Sequence, residues 1–207
     1  DRRKAIEYCE KLLKIAIEFG DRCAEGTAYG NLGVAYWSLG DYRKTIDYLE
    51  KHLKIAIEFG DRGGEGRTYG YLGSAYLSLG DYRKGIDYSE KLLKSAIEIG
   101  DREGEGAAYG NLGAAYWLLG DYRKAIDYHE KGLKIATEID ERDGEGSAYG
   151  NLGAAYCSVG DYRKAIKYIE KHLKITIEIG SRKKEGEAYG NLGNTYCAVG
   201  DYRKAME

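Results

Sequence analysis

Tyr109-Gly110-Asn111-Leu112-Gly113-Ala114-Ala115-Tyr116, followed by Gly120-Asp121-Tyr122-Arg123-Lys124-Ala125-Ile126, is one copy of a pattern that fills the sequence. Its Gly-Asp-Tyr-Arg-Lys element recurs at 40, 80, 120, 160 and 200, a strict 40-residue period that sets the architecture. The first seven residues, Asp1-Arg2-Arg3-Lys4-Ala5-Ile6-Glu7, match Asp201-Tyr202-Arg203-Lys204-Ala205-Met206-Glu207, so the 207 residues hold five periods and a seven-residue overlap. Both ends then fall inside a unit. Arrays normally finish in polar caps, so this predicts either a piece of a longer array or ends completed by neighbours.

Within a unit, Gly40-Asp41 reads as a helix stop followed by an N-cap: glycine takes the left-handed position and aspartate satisfies free amides of the next turn. Gly60-Asp61 repeats the signal at the other end, which predicts two antiparallel helices per unit, A and B, for example about 62–79 and 82–99. On helix B, Arg43, Lys44, Asp47, Glu50, Lys51, Lys54 and Glu58 share one sector, a solvated back with i,i+4 pairs Asp47/Lys51 and Glu50/Lys54. The rest of helix B carries two apolar stripes, Tyr42/Ile46/Leu49/Leu53/Ala56 and Tyr48/Ile55/Phe59, so it needs partners on two sides. One is its own helix A, the other the next unit. Helix A presents Tyr29, Leu32, Gly33 and Tyr36 to helix B, while Gly26, Gly30 and Gly33 make it unstable alone and allow close helix approach. The expected fold is all-α, a right-handed α-solenoid forming a single array: partial unit 1–20, units 21–60, 61–100, 101–140 and 141–180, and partial unit 181–207.

Composition agrees. There is no proline, but there are 30 glycines and 21 tyrosines, a skew that follows from copying one module. The 32 basic and 34 acidic residues leave a net charge of −2, which argues against a phosphate-tracking surface, so no nucleic acid partner is expected. No apolar run reaches bilayer length and the N-terminus carries no apolar signal segment, so no membrane is expected either. Four cysteines without a CxxC pair read as reduced thiols, favouring a cytoplasmic setting.

Tyr-Gly-Asn-Leu-Gly-x-x-Tyr followed by Gly-Asp-Tyr-x-x-Ala-Ile-x-Tyr resembles the tetratricopeptide repeat, with tyrosine in place of its first tryptophan. The matching positions are Tyr109, Leu112, Gly113, Tyr116 and Ala125; Thr45 and Gly85 depart at the alanine position, and the late proline is absent. The 40-residue unit looks like those of the Pins/LGN spindle-orientation adaptors. The resemblance covers the whole chain and implies a superhelix whose concave face, lined by helix A, binds an extended or helical peptide of a partner protein.

The differences between units in helix A collect opposite its helix B stripe, at offsets 27, 31, 34 and 38 with 37 on the edge. Asn31, Asn111, Asn151 and Asn191 form a ladder there. An amide that donates and accepts at once can hold the main chain of a bound peptide, with Gly30, Gly110, Gly150 and Gly190 permitting close approach; alternatively each amide bonds a neighbouring helix. Trp37 and Trp117 read either as anchors for a partner side chain or as fillers of the seam between units. Arg67 and Glu187 are the charged members of the set, positioned to fix a ligand's direction, and Tyr71 and Asn194 complete the candidate site. In related repeats that clamp a carboxylate, asparagine sits at this position beside lysines; here glycine replaces one of them, which argues against a carboxylate clamp.

No catalytic role, cofactor or metal is expected. His52, His129 and His172 lack a second ligand at i+3 or i+4, and no nucleophilic triad or phosphate loop occurs. Cys157 and Cys197, one unit apart, are expected beyond the ~7 Å reach of a disulfide. Two functions remain: a non-enzymatic adaptor that binds a peptide along helix A, and a structural protein whose uncapped units stack end to end into a fibre.

Overall fold

Gly40 and Asp41 set the geometry of every A-to-B corner. In the computed structural model, which describes residues 2–206, Gly40 lies at φ +77°, its N–H donating to the Trp37 carbonyl at 2.9 Å, and the Asp41 N–H donates to the Tyr36 carbonyl at 3.0 Å. The Asp41 carboxylate then accepts from the Lys44 N–H at 3.2 Å and caps the next helix, as Asp81, Asp121, Asp161 and Asp201 do in their turn. At the B-to-A corner, Gly60 (φ +67°) and Asp61 play the same parts. The fourth such corner is different: Asp140 takes the left-handed position at φ +56°, which aspartate tolerates, and Glu141 makes no capping bond.

Among the described residues these corners delimit eleven helices and no strand: α1 (Arg2–Phe19), α2 (Arg22–Ser38), α3 (Tyr42–Phe59), α4 (Arg62–Ser78), α5 (Tyr82–Ile99), α6 (Arg102–Leu118), α7 (Tyr122–Glu138), α8 (Arg142–Ser158), α9 (Tyr162–Glu178), α10 (Arg182–Ala198) and α11 (Tyr202–Met206). None of them is long and apolar enough to cross a membrane. The even-numbered helices are the A helices and the odd-numbered the B helices. The molecule divides into two compact units between Gly104 and Glu105.

In the first unit, a Cβ on Gly26 would lie 2.7 Å from Ile55 Cγ2, one on Gly30 3.2 Å from His52 Nδ1, and one on Gly33 2.5 Å from Leu49 Cγ. Numbers rise along α2 as they fall along α3, so the pair is antiparallel, and the glycines stand where the helices come closest. In the second unit Gly146, Gly150 and Gly153 meet Ile175, His172 and Ile169 in the same way. Each glycine costs its helix about 1 kcal/mol relative to alanine, which the close packing offsets. This corrects one expectation: Gly30 and Gly150 lie under the imidazoles of their own helix B, so their lack of a side chain serves the pair and not a bound peptide.

The Tyr29/Leu32/Gly33/Tyr36 stripe faces helix B as read from sequence, with Leu32 and Tyr36 buried. The second side of helix B packs on the following helix A: Ile46 and Leu49 of α3 cluster with Leu72, Ala75 and Tyr76 of α4, and the Tyr76 hydroxyl donates to Glu50 at 3.0 Å. Tyr156 donates likewise to Glu130 in the second unit. Glu50 is thereby used between helix pairs, while the expected acid-first pair forms at Asp87/Lys91 (2.7 Å). Each pair also holds a stacked tyrosine couple, Tyr36/Tyr48 at 5.5 Å for example, with Lys44 4.6 Å above the Tyr36 ring. Phe59, expected on a buried stripe, is exposed: the antiparallel position opposite it is Arg22, whose guanidinium turns to Glu58 at 2.8 Å.

Replacing Gly33 by alanine should therefore destabilise the chain, because accommodating the new carbon against Leu49 costs about 1–3 kcal/mol and outweighs the gain in helix propensity. Gly110, where a Cβ meets nothing within 4 Å, should gain about 1 kcal/mol on the same change. Urea denaturation of the two variants checks both signs.

Candidate functional site

Thr27, Asn31 and Val34 of α2 stand exposed on the side of the helix away from the Leu32 stripe, and in the second unit Asn151, Glu187, Asn191 and Asn194 are exposed in the same way on α8 and α10. Asn111 is half-buried on α6. The asparagine side chains at 31, 151 and 191 are thus not sealed between helices. In the first unit, Arg67 is exposed and Tyr71 half-buried.

The residues at offset 37 reach across to the next A helix. The Trp37 ring meets Tyr71 edge-on, centroids 5.5 Å apart. Trp117 Nε1 donates to Ser158 Oγ at 3.0 Å, and Cys157 Sγ lies 3.2 Å from Thr195 Oγ1. The tryptophans therefore fill the seam between neighbouring pairs, yet each remains 39% exposed, so part of each indole faces solvent. Cys157 and Cys197 are free thiols.

Glu187 is not a lone charge. Its carboxylate lies 3.8 Å from Lys183 one turn earlier, and so exposed a pair contributes little. A second basic group nearby was missed in the sequence: Lys184 Nζ reaches Asp143 at 2.6 Å and Ser147 Oγ at 3.2 Å, tying the first turns of α10 and α8 together. The only signal would have been the opposite charges at 143 and 184, 41 residues apart. That spacing acquires meaning once offset 37 is known to contact offset 38 of the next unit.

The histidines take structural positions. His52 Nδ1 lies 2.9 Å from the Gly26 carbonyl and His172 Nδ1 2.7 Å from that of Gly146, each bonding the A helix of its own pair. His129 is 3% exposed against Gly113, and burial pushes its pKa down to about 4. Among the described residues no group of three or more histidine, cysteine, aspartate or glutamate side chains is arranged to hold a metal. Burial and the Glu50 carboxylate push the Tyr76 hydroxyl upward, and burial with Glu130 pushes Tyr156 up to about 12, so both remain hydrogen-bond donors.

A family model described as tetratricopeptide repeat matches residues 1–58, 64–138 and 145–207. No curated protein matches the chain in sequence. Among solved structures, the chain is 24% identical to BtubC (BKLC) from P. vanneervenii, covering 99% of this chain and 87% of that one, with a TM-score of 0.82. It is 25% identical to a Signal Transduction ATPase with Numerous Domains carrying a tetratricopeptide repeat sensor, from Pyrococcus horikoshii, over 96% of this chain but 31% of that one, with a TM-score of 0.79. A Rap protein complexed with Competence and Sporulation Factor is 15% identical, over 99% of this chain and 68% of that one, with a TM-score of 0.73. These likenesses establish the fold as one of α-solenoid repeats.

His129 gives the fold a pH dependence of definite sign. Its folded pKa of about 4 lies below the unfolded value, so stability is fully present above pH ~6.5 and falls as the pH drops towards 4, by about 3 kcal/mol in all. Urea midpoints measured between pH 7 and 4 should show this loss, and His129→Leu, which restores the residue type of Leu49, should remove its share of the slope.

Proposed function

The chain belongs to the tetratricopeptide repeat family, and on that premise we propose that it is a non-enzymatic scaffold that binds an extended peptide segment of a partner protein along the exposed row of its A helices. One observation carries the reading. Asn151 and Asn191 stand in solvent at the same offset of neighbouring A helices, in the middle of each helix, where asparagine contributes little to helix stability. A primary amide offers a donor and an acceptor side by side, the complement of a peptide unit in an extended main chain. Asn111 continues the row within the second unit, and the exposed edge of Trp117 supplies an apolar surface for a side chain of the ligand. In the first unit, Asn31, Trp37, Tyr71 and Arg67 provide the corresponding groups, with Arg67 favouring an acidic side chain. That a Rap protein of this fold is complexed with Competence and Sporulation Factor supports a ligand-binding use of the fold.

The test starts from random dodecapeptides displayed on phage and selected on the immobilised chain. For a recovered peptide, Asn151→Ala combined with Asn191→Ala should weaken binding about tenfold, as expected for two net hydrogen bonds, and leave the melting temperature unchanged. A lowered melting temperature with unaltered affinity would assign both asparagines to the fold instead.

A further inference from the structure

The row of A-helix residues changes its chemistry at one place in the first unit. Position 71 holds tyrosine where 31, 111, 151 and 191 hold asparagine. Trp37 of α2 leans edge-on against the Tyr71 ring of α4, centroids 5.5 Å apart and planes at 70°, and Val34 stands one turn before Trp37 on the same helix face. Val34 and Trp37 are 38% and 39% exposed, so apolar surface stays open to solvent there. One turn before Tyr71, Arg67 is exposed, with a guanidinium nitrogen 3.7 Å from where a Cβ on Gly63 would lie. These three long side chains end in polar hydrogens. Trp117 spends its indole N–H on Ser158, but among the described residues Trp37 Nε1, the Tyr71 hydroxyl and the Arg67 guanidinium have no hydrogen-bond or ion-pair partner. The short hydroxyls of the row turn inward instead: Thr27 donates to the Cys23 carbonyl, Ser38 to that of Ala35 and Ser78 to that of Ser74.

We propose, resting on the peptide-scaffold reading above, that this place in the first unit selects a proline-rich segment in the polyproline II conformation, carrying an acidic residue close to the proline that packs on Trp37 and Tyr71. Three properties of such a segment match the surface. Proline has no N–H to be satisfied. The carbonyls of a polyproline II helix point outward without internal partners, so they accept from Trp37 Nε1 and the Tyr71 hydroxyl. Its rings pack on aromatic side chains at small entropic loss, because the helix is already formed before it binds. The acidic residue complements Arg67, four positions from Tyr71: that single turn of α4, about 5.4 Å, is spanned by two polyproline II residues at about 3.1 Å each. An ordinary extended strand brings an N–H at every residue, which suits the asparagine amides at 151 and 191, and at 71 it finds an aromatic ring in place of one of them.

The probe is an acetylated, amidated peptide of eight prolines with an aspartate at each end, titrated into the nitrogen-15-labelled chain. Trp37→Phe assigns the two indole N–H resonances. The Trp37 resonance should move with added peptide, while that of Trp117, already bonded to Ser158, should stay. Tyr71→Phe keeps the ring in place and removes one donor, so it should weaken binding about fivefold. Arg67→Ala, which installs the residue found at 107, should abolish the preference for this peptide over one ending in lysines. The inference is overturned if the Trp37 resonance stays fixed throughout the titration, if alanine at alternate prolines leaves the affinity unaltered, or if the lysine-ended peptide binds the parent chain equally well. Phage-selected peptides that depend on Asn151 and Asn191, together with a proline peptide that does not bind, would overturn this inference alone and leave the scaffold reading standing.

Discussion

Two antiparallel helices can approach only as far as the residues between them permit, and in the α2/α3 and α8/α9 pairs that distance is set by glycines at three offsets of helix A. Gly33 against Leu49 and Gly153 against Ile169 leave no room for even a methyl group. The helix bearing three such glycines is weak by itself, so its order derives from the helix it touches. This constraint accounts for the enclosed Leu32, Leu72 and Leu152, for the stacking of Tyr36 on Tyr48, and for a B helix held between two A helices. Sequence freedom is left mainly on the solvent side of helix A and the charged back of helix B.

Where the copies differ inside, they do so in compensating groups. In the first pair Leu49 fills the space over Gly33 and His52 lies over Gly30. In the third, His129 occupies the position of Leu49 and Gly132 that of His52, so the imidazole has moved one turn along the helix and lost its access to water. In the second, Ser89 stands where Leu49 does in the first, its Oγ 2.9 Å from where a Cβ on Gly73 would lie, and Leu77 folds onto Gly85, where a Cβ would lie 2.4 Å from the leucine. Bulk is redistributed between neighbouring positions from one pair to the next, and the core repacks around it.

The architecture was legible in the sequence because its determinants are local. Gly40-Asp41 writes both the end of one helix and the cap of the next within two residues, and the period multiplies that signal. The site was legible only in part. Asn151 and Asn191 could be placed on the solvent side from helical geometry alone, but Gly30 lies only about 60° around the helix from Gly33, on the border between two faces. Its assignment depended on how far the His52 ring extends, which no periodicity expresses. Trp117 with Ser158 and Lys184 with Asp143 depend on the step between successive pairs, a quantity fixed by packing and absent from any single helix.

The bonds that join neighbouring pairs bridge 26 residues, as from Tyr76 to Glu50, or 41, as from Trp117 to Ser158. Loop-closure entropy for such links does not grow with the number of modules, so a longer array would meet no steeper kinetic barrier per module than a short one. Duplication or loss of one 40-residue segment leaves every remaining link the same length, a form of evolutionary elasticity that a protein with long-range strand pairing does not have.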